Sequence, residues 1–313
     1  MPVANNKVAV VGTGYVGAAV AYTLMLSGLV RELVLVDINR ARAEGEAMDM
    51  AHGESFVRPV KVYAGDYEDC REARIIVFAA GAAQRPGETR LDLVARNMEV
   101  LKDALPQLAA VSPEAILVMV TNPVDVLTYA AWRITGWPVR QVMGSGTVLD
   151  SSRFRYALSR HCRVDPRNVH AYIIGEHGDS EVPVWSRANI AGLSVEEYCR
   201  QCGLPPPDRQ ALFEEVRRAA YEIIARKGAT NLAISLAVRR ICEAILRDEH
   251  SVLTVSGLVD GPYGLRDVAL SLPAVVTGRG RETVLVPPLS QEEETALRRS
   301  AEILAAVQAE VRW

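Results

Sequence analysis

The first half of the chain alternates short apolar runs with longer segments whose apolar residues recur at helical spacing. The apolar runs predict strands at Lys7 to Val11, Glu32 to Asp37, Val60 to Tyr63, Ile75 to Ala80 and Ile116 to Val120. The segments between them predict helices from about Val16 to Gly28, Arg40 to His52 and Leu91 to Ala109. This alternation predicts a parallel sheet wound by right-handed crossovers, in which ligands bind beyond the carboxyl ends of the strands.

The pattern changes in the second half, where the helical segments are longer and the apolar runs lie closer together. Helices are predicted from about Val148 to His161, Asp208 to Arg226 and Thr230 to Leu246, and a last one after a capping box of Ser290 and Glu293. Strands are predicted at Val169 to Ile174, Ser251 to Leu258, Val268 to Val276 and Thr283 to Val286. The short spacing of the last three indicates antiparallel pairing. We therefore expect two domains, residues 1–146 and residues 147–313.

A glycine-rich turn with the pattern G-x-G-x-x-G joins the first predicted strand to the first predicted helix. Gly12 permits the turn, Gly14 allows the backbone to approach a pyrophosphate, and Gly17 lets the helix pack closely on the strand. Asp37 ends the second strand, where a carboxylate accepts a hydrogen bond from a ribose 2′-OH and repels a 2′-phosphate. Together with Val16, these residues predict an NAD site. The alternative is a turn with a structural role only.

These features define the expected fold class. It is an α/β protein with a Rossmann-type doubly wound parallel sheet, followed by an α+β substrate domain with antiparallel strands.

The composition argues against several classes of protein. Hydrophobic residues make up 49% of the 313 residues, charged residues 23%, and the formal net charge is −3. These values argue against disorder and against a nucleic-acid partner, and they favour a small neutral or anionic ligand. No apolar run approaches the ~20 residues that a membrane span needs, and the N-terminus has no signal-peptide pattern. We expect a cytoplasmic protein with no membrane or nucleic-acid partner.

The five cysteines are odd in number and scattered, which is typical of free thiols in a reducing compartment. Cys199 and Cys202 form a C-x-x-C pair, but no second pair accompanies them to complete a zinc site. We therefore expect no bound metal.

His177 follows the predicted strand that ends at Ile174, and it is flanked by glycines and acidic residues. An imidazole titrates near neutral pH, so at the mouth of a strand it can give or take a proton at little cost. A lone histidine in a polar turn more often has no catalytic role. Three other loops that follow strands add candidate groups: Gly81 to Arg90, Thr121 to Asp125 and Gly144 to Gly146.

Four side chains together match the needs of hydride transfer between NADH and a ketone. That reaction requires an acid for the carbonyl oxygen, a cation to polarise it, and a clamp for a substrate carboxylate. His177 is the candidate acid and Asp150 the carboxylate that holds its imidazolium. Arg90 is the candidate polarising cation. Arg153 is the candidate clamp, because a guanidinium binds a carboxylate through two parallel hydrogen bonds.

The chain resembles the L-lactate and malate dehydrogenase family from Lys7 to about Val311. The resemblance rests on four motifs in family order: Arg-Pro-Gly-Glu-Thr-Arg-Leu-Asp-Leu, Thr-Asn-Pro-Val-Asp, Gly-Ser-Gly-Thr-Val-Leu-Asp-Ser-Ser-Arg-Phe-Arg and Gly-Glu-His-Gly-Asp-Ser-Glu. It implies roles for further residues. Near the nicotinamide half of the cofactor it places Gly81, Ala82, Val120, Asn122 and Ser145. It places Arg42 and Tyr67 near the adenosine half, and Asn122 and Thr230 against the substrate. It also implies that the segment from Gln84 to Arg90 is a closing lid.

Within that family, the residue before the Arg-Pro-Gly of the lid distinguishes the two substrates. Here it is Gln84, whereas malate enzymes carry an arginine that meets the second carboxylate of oxaloacetate. A neutral amide leaves that carboxylate unpaired in a closed site, at a cost of several kcal/mol. Gln84 therefore favours pyruvate and L-lactate as the substrates. The neighbouring Arg85 is positively charged, but one residue further along the loop it should point elsewhere.

Arg155 and His170 resemble the pair with which bacterial lactate dehydrogenases bind fructose 1,6-bisphosphate between subunits. The resemblance implies that this sugar bisphosphate is an activator and that the protein is a homo-oligomer, most often a tetramer in this family. A solvated arginine and a structural histidine are the alternative. Leu232 departs from the family pattern, because many relatives carry an aromatic residue near that position.

Three other functions stay open at this point. Malate dehydrogenase activity would require a preference for oxaloacetate despite Gln84. A non-catalytic NAD-binding protein could share the same fold, since fold alone does not fix function. A dehydrogenase for bulkier 2-hydroxy acids is left open by Leu232.

Overall fold

The computed structural model describes residues 6–82 and 90–311, with the backbone alone at 90 and 91. The strands are β1 (Lys7–Val11), β2 (Glu32–Val36), β3 (Lys61–Ala64), β4 (Ile75–Phe78), β5 (Ile116–Met119), β6 (Val142–Gly144), β7 (Val169–His170), β8 (Ile173–Ile174), β9 (Val182–Pro183), β10 (Asn189–Ile190), β11 (Leu193–Ser194), β12 (Ser251–Leu253), β13 (Ser256–Val259), β14 (Val268–Ser271), β15 (Ala274–Thr277) and β16 (Gly280–Val284). The α-helices are α1 (Tyr15–Ser27), α2 (Arg40–His52), α3 (Arg90–Val111), α4 (Val124–Thr135), α5 (Val148–Cys162), α6 (Val195–Gln201), α7 (Arg209–Lys227), α8 (Leu232–Leu246) and α9 (Gln291–Glu310).

The main sheet has the strand order β14-β13-β6-β5-β4-β1-β2-β3. Its six strands from the first half are parallel, as the alternating pattern predicted. The other two come from the second half and extend the sheet in antiparallel fashion, with Ser256 opposite Gly144. The predicted fold class is confirmed, including the separate antiparallel strands β12, β15 and β16. Strands from both halves of the chain thus belong to one sheet. The predicted domain boundary after residue 146 remains a prediction.

Three predicted strands are each divided into two in the structure. The segment from Val268 to Val276 is interrupted at Leu272 and Pro273, where proline has no N–H to donate, and the chain moves from the main sheet to the smaller one. The segment from Ser251 to Leu258 divides in the same way between β12 and β13. The segment from Val169 to Ile174 divides into β7 and β8, which belong to different small sheets. The residues at the three breaks are buried or half-buried, so no run of exposed polar residues marks them in the sequence.

Apolar side chains cover both faces of the main sheet. Val8 and Val10 of β1 pack with Leu24 of α1 on one face, and Ala9 and Val11 pack with helices α3 and α4 on the other. A strand that is buried on both sides reads as a continuous apolar run, which is why the parallel strands were predictable. The ends of the helices also follow the sequence signals. Gly28 caps α1 in the left-handed conformation, and Ser290 and Glu293 form the predicted capping box.

Two further structural findings bear on the class of protein. Throughout residues 6–82 and 90–311, no helix is both long and apolar enough to cross a membrane. The five cysteines are all free thiols, as predicted, and Cys162 and Cys199 lie with their Sγ atoms 3.9 Å apart.

Candidate active site

The glycine-rich turn between β1 and α1 brings backbone against backbone. Gly12 has a φ of +93°, and a Cβ there would overlap the backbone of Ala80 at the end of the neighbouring strand. A Cβ at Gly17 would overlap the carbonyl oxygen of Gly12. These two positions therefore need glycine for the turn itself and for the close packing of the helix on the strand.

Gly14 differs from its two neighbours in the motif, because no atom of the described residues beyond its chain neighbours lies within 4 Å of the position that a Cβ would take. Helix α1 begins immediately after it, with no side-chain cap and no acidic residue in its first turn. The first N–H groups of α1 and the positive end of the helix dipole therefore lie beside the open space at Gly14. This arrangement fits the pyrophosphate of a dinucleotide, and Val16 lies in that same first turn.

Asp37 is half-buried at the end of β2, and it holds the glycine-rich turn in place. Its Oδ2 accepts hydrogen bonds from the Thr13 backbone N–H at 2.6 Å and from the Thr13 hydroxyl at 2.9 Å. Its Oδ1 accepts one from the Asn39 N–H at 2.9 Å. Each carboxylate oxygen can accept more than one hydrogen bond, so Asp37 has lone pairs left for the predicted contact with a ribose hydroxyl. Sequence reasoning missed Thr13, although a hydroxyl between two glycines of the motif was visible.

The loops after β4 and β5 are tied together by Asn97, a buried side chain of α3. Its Oδ1 accepts the Ala82 N–H and its Nδ2 donates to the Asn122 carbonyl, both at 2.8 Å. A Cβ on Gly81 would overlap the side chain of Thr121. The structure therefore brings the predicted nicotinamide-side residues Gly81, Ala82 and Asn122 together. Asn97 was missed, and its signal was a polar residue on the apolar face of a helix.

The other predicted cofactor residues lie at the same edge of the main sheet or beside it. Val120 and Ser145 directly follow β5 and β6 and are buried. Tyr67 is half-buried after β3, and burial raises the pKa of its phenol. Arg42 is exposed on α2, with its guanidinium 6.0 Å from the centre of the Tyr15 ring. Thr230, which was predicted to contact the substrate and not the cofactor, is half-buried between α7 and α8.

Asp150 lies between His177 and Arg153. Its Oδ2 is 2.5 Å from the His177 Nδ1, and its Oδ1 accepts a hydrogen bond from the Arg153 Nη1 at 2.7 Å. Asp150 and Arg153 are three residues apart on α5, so they share one face of the helix. The Asp150 side chain is 3% exposed, whereas the His177 side chain is 25% exposed. The ring is thus accessible from the site while its partner is not.

This arrangement decides the charge on the His177 ring. Burial by itself lowers the pKa of the imidazole, but the Asp150 carboxylate outweighs it and raises that pKa from 6.5 to about 9. Burial likewise favours a neutral Asp150, yet His177 and Arg153 hold the pKa of that carboxyl below its usual range. Near neutral pH the pair therefore consists of an imidazolium and a carboxylate, with a proton available on the exposed ring.

Asp125 supports the His177 backbone and was missed as a site residue. Its Oδ2 accepts the His177 N–H at 2.7 Å, and its Oδ1 accepts the Ser256 hydroxyl at 2.6 Å. It is 1% exposed in the first turn of α4, and burial raises the pKa of its carboxyl to about 6. Its sequence signal was an acidic residue next to an apolar helix start, which is equally typical of an ordinary cap.

Glu181 is a second buried acid near this centre that sequence reasoning missed. It is 7% exposed, four residues after His177. Burial, followed by the nearby Asp150 carboxylate, raises the pKa of Glu181 to about 8. The carboxylates of Asp150, Asp125 and Glu181 therefore all act to raise the pKa of His177.

Gln84 and the Arg90 side chain lie outside the described residues. Their predicted roles as side-chain reader and polarising cation are therefore not located.

Arg155 and His170 occupy neighbouring elements, α5 and β7. The Arg155 Nε donates to the Ala171 carbonyl at 3.0 Å, and its guanidinium lies 5.4 Å from the centre of the Tyr172 ring. Burial lowers the pKa of this arginine. His170 is exposed, and its backbone pairs with Asn189 of β10.

Two family models match almost the whole chain. One, described as lactate/malate dehydrogenase, NAD binding domain, matches residues 6–144, and the other, described as lactate/malate dehydrogenase, alpha/beta C-terminal domain, matches residues 147–312. The fold and the site therefore define an NAD-dependent dehydrogenase. The chain belongs to the lactate/malate dehydrogenase family.

Several relatives within that family are named L-lactate dehydrogenase. A protein named L-lactate dehydrogenase from Thermoanaerobacter sp. (strain X514) is 56% identical over 304 residues, which cover 96% of this chain and 98% of the relative. Another of that name, from Moorella thermoacetica, is 56% identical over 301 residues and 95% of each chain. The crystal structure of a minor L-lactate dehydrogenase from Enterococcus mundtii matches with a TM-score of 0.95 at 40% identity, over 98% of this chain and 99% of that one.

Proposed function

We propose that this protein catalyses the NAD-dependent interconversion of pyruvate and L-lactate. The observation that carries the proposal is the arrangement of His177 and Arg153 on the two oxygens of Asp150, at 2.5 and 2.7 Å. One buried carboxylate thereby fixes both a proton donor and a candidate carboxylate-binding group. The names of the relatives support the same reaction.

His177 is the proton carrier in this proposal. Its Nδ1 is engaged by Asp150, which leaves Nε2 as the nitrogen that gives a proton to the pyruvate carbonyl oxygen, or takes one from the lactate hydroxyl. Asp150 fixes the orientation of the ring and stabilises its charged form without itself becoming protonated. The group with the right proton is therefore already in place before a substrate arrives.

Arg153 binds the substrate carboxylate. Its Nη1 is committed to Asp150, and the guanidinium carries further N–H donors in a fixed plane. A planar carboxylate can accept two parallel hydrogen bonds from such an edge. A lysine has no second donor in that plane, so Arg153→Lys should weaken substrate binding.

The NAD site is assigned to the turn after β1 and to the strand ends beside it. Gly12, Gly14, Val16 and Gly17 would hold the pyrophosphate, and Asp37 would hold the ribose. The remaining predicted contacts are Arg42, Tyr67, Gly81, Ala82, Val120, Asn122 and Ser145. When bound, the nicotinamide supplies or accepts the hydride.

Two lid residues complete the proposal. Arg90 polarises the ketone carbonyl, and Gln84 contacts the methyl end of pyruvate. Outside the lid, Asn122 and Thr230 also contact the substrate. The second carboxylate of oxaloacetate would find no charge partner at Gln84 in a closed site.

The test is NADH oxidation with pyruvate and with oxaloacetate, compared as kcat/KM. We expect pyruvate to be preferred, and Gln84→Arg to move the preference toward oxaloacetate by at least tenfold. Arg85→Gln is the matched control, because it changes the neighbouring charge and should leave the preference intact. A preference for oxaloacetate in the unaltered protein would transfer it to the malate branch of the family.

A second candidate function rests on Leu232, which is 65% exposed at the start of α8. Bulkier 2-keto acids are candidate substrates because many relatives carry an aromatic residue near this position. Rates with 2-ketobutyrate and 2-ketoisocaproate, compared with pyruvate, decide between the narrow and the broad preference. A protein that binds NADH but reduces none of these acids would be a non-catalytic relative.

Arg155 and His170 are proposed to bind fructose 1,6-bisphosphate between subunits of a cytoplasmic homotetramer. The exposed His170 and the partly buried Arg155 supply two nitrogen-bearing groups for phosphate oxygens. The bisphosphate should lower the KM for pyruvate or raise the assembly state. The proposal for this pair is wrong if neither quantity changes on addition of the bisphosphate.

A further inference from the structure

Three consecutive backbone N–H groups that lead into His177 are held by three different elements. The Gly175 N–H donates to a carbonyl of β14 at 2.9 Å, and the His177 N–H donates to the Asp125 carboxylate of α4 at 2.7 Å. Between them, the Glu176 N–H donates to the Ser300 Oγ of α9 at 2.8 Å. The middle contact therefore ties the residue next to His177 to a helix that contributes no side chain to the proposed chemistry.

Ser300 is completely buried on α9, where the backbone before His177 approaches the helix closely. Gly175 has a φ of +86°, and a Cβ there would lie 2.8 Å from the Ser300 Oγ. Glycine thus permits both the left-handed backbone and the close approach. This approach brings the Glu176 N–H within reach of a side chain as short as serine.

A second serine, Ser180, completes a cycle of hydrogen bonds with Ser300 and Glu176. The two serine Oγ atoms are 3.0 Å apart, and the Ser180 hydroxyl donates to the Glu176 Oε2. The cycle runs from the Glu176 N–H to Ser300, from Ser300 to Ser180, and from Ser180 back to the carboxylate of Glu176. We call these three residues the hydroxyl cycle.

The chemistry of the groups fixes the direction of every bond in the hydroxyl cycle. A backbone N–H can only donate, and a carboxylate can only accept. Ser180 has a single hydroxyl hydrogen, which it gives to the Glu176 carboxylate, so the bond between the two serines is donated by Ser300. Each hydroxyl is therefore donor and acceptor at once. Removal of either one leaves polar groups without their partners beside a carboxylate that is only 1% exposed.

The hydroxyl cycle joins the chain on both sides of His177. Glu176 directly precedes the histidine, and Ser180 follows it by three residues. The turn between them folds over the Glu176 side chain, since a Cβ on Gly178 would lie 3.1 Å from the Glu176 Cδ. Both ends of the short segment that carries the imidazole are thus attached to Ser300 of α9.

We propose that Ser300, acting through the hydroxyl cycle, is a positioning residue for His177. It holds the backbone on both sides of the histidine so that the imidazole Nδ1 meets the Asp150 carboxylate at 2.5 Å. A displacement on the order of 1 Å at a reacting group can slow a reaction by about 100-fold, so this attachment matters for turnover. The inference rests on the proposed function, because it needs His177 to be the proton carrier.

The carboxylates that act on the His177 imidazole are those of Asp150 on α5, Asp125 on α4 and Glu181 after the turn. Arg153 lies beyond Asp150 and is paired with it. A serine-to-alanine change in the hydroxyl cycle alters none of these charges. A change in the pH profile of such a variant therefore reports a change in geometry.

The test is Ser300→Ala in the full-length protein, assayed by pyruvate reduction across pH. We expect kcat to fall about tenfold. The falling limb should move to lower pH, because an imidazole that lies further from Asp150 loses the interaction that raises its pKa. The KM for pyruvate should change little, because Arg153 is on α5 and is not part of the hydroxyl cycle. NADH affinity should also be unchanged.

Ser112→Ala is the matched control. Ser112 is likewise a buried serine, and its hydroxyl donates to the Cys70 carbonyl. It lies between α3 and β5, at the edge of the parallel sheet opposite to the strand ends that face the site. Both variants should have a lower Tm, because each loses a buried hydrogen bond. Only Ser300→Ala should change kcat and the pH limb, and equal kcat values and limbs in the two variants would overturn the proposal.

Two variants of Ser180 separate the hydroxyl from the rest of the side chain. Ser180→Ala interrupts the hydroxyl cycle and should lower kcat and shift the limb in the same direction as Ser300→Ala. Ser180 is half-buried, and Ser180→Thr keeps the hydroxyl, so this variant should retain most of the turnover. If the threonine variant were as impaired as the alanine variant, the hydroxyl would not be the group that matters, and the hydroxyl cycle would be refuted.

The same assays distinguish failure of this inference from failure of the proposed function. Pyruvate reduction by the unaltered protein, lost in His177→Asn, would establish the proton carrier. If that result holds while Ser300→Ala behaves as Ser112→Ala does, only the positioning role is wrong. An unaltered protein that does not reduce pyruvate would overturn both.

Discussion

The two halves of the active site are built in different ways. The turn between β1 and α1 uses backbone N–H groups and the space left by glycines, and its three glycines lie close together in the chain, from Gly12 to Gly17. The centre around His177 uses charged side chains from α4, α5 and the loop after β8. One half is a local backbone conformation, and the other is a network of buried charges that exists only after folding.

The difference determines how each half should respond to substitution. A change in the glycine-rich turn acts through space and backbone geometry, so it should affect stability or cofactor affinity. A change around His177 acts through proton affinity, so it should affect turnover and its pH dependence. Measurements that separate binding from turnover can therefore test whether the two halves are as distinct as the geometry indicates.

The largest expected effect is that of His177→Asn. Loss of the proton carrier should reduce kcat for pyruvate reduction by about 10³-fold, within the range of general acid catalysis. NADH affinity should be nearly unchanged, because the glycine-rich turn is untouched, and fluorescence titration of NADH serves as the control. Equal losses in turnover and NADH affinity would remove the distinction between the two halves.

Asp150→Asn should have the next largest effect, about 10²-fold or more on kcat. The amide removes the charge that raises the His177 pKa, so the falling limb of pyruvate reduction should move to lower pH. The direction follows because reduction needs the protonated ring and fails as pH rises through its pKa. A profile that keeps its original limb would show that Asp150 does not set the charge state of the ring.

Within the glycine-rich turn, Gly17→Ala and Gly14→Ala form a matched pair. The Cβ at Gly17 would overlap the Gly12 carbonyl oxygen, so this variant should lose about 1–3 kcal/mol of unfolding free energy, as overpacked sites do. Gly14→Ala has open space around its Cβ and should keep the stability of the protein while weakening NADH binding. Chemical denaturation and NADH titration of both variants measure the two outcomes. Similar stability losses in the pair would contradict the assignment of Gly14 to ligand approach.

Asp125→Asn should produce the smallest of these effects, a few-fold fall in kcat/KM. The amide oxygen can still accept the His177 N–H, but the loss of a nearby negative charge should lower the His177 pKa. The pH limb should therefore shift in the same direction as in Asp150→Asn, by less. Ser256→Ala, which removes the other bond to Asp125 and no charge, should leave the limb in place.

The same contrast explains what the sequence could and could not predict. The parallel strands and the turn at Gly12 and Gly17 depend on local pattern, and the structure reproduces them within a residue or two. The places where the chain changes sheet, as at Pro273, were missed because the apolar run continues through them. Asn97, Asp125 and Glu181 were missed because their importance depends on groups that folding brings from elsewhere. His177, Asp150 and Arg153 were identified from their chemistry and from the family resemblance, but their shared geometry required the structure.

The most direct test is the pH dependence of kcat/KM for pyruvate in the unaltered protein. The account predicts a plateau through neutral pH and a decline as pH rises through about 9, where His177 loses its proton. A decline centred near the ordinary histidine value of 6.5, or a profile with no limb at all, would contradict the claim that the buried Asp150 holds the catalytic proton on His177.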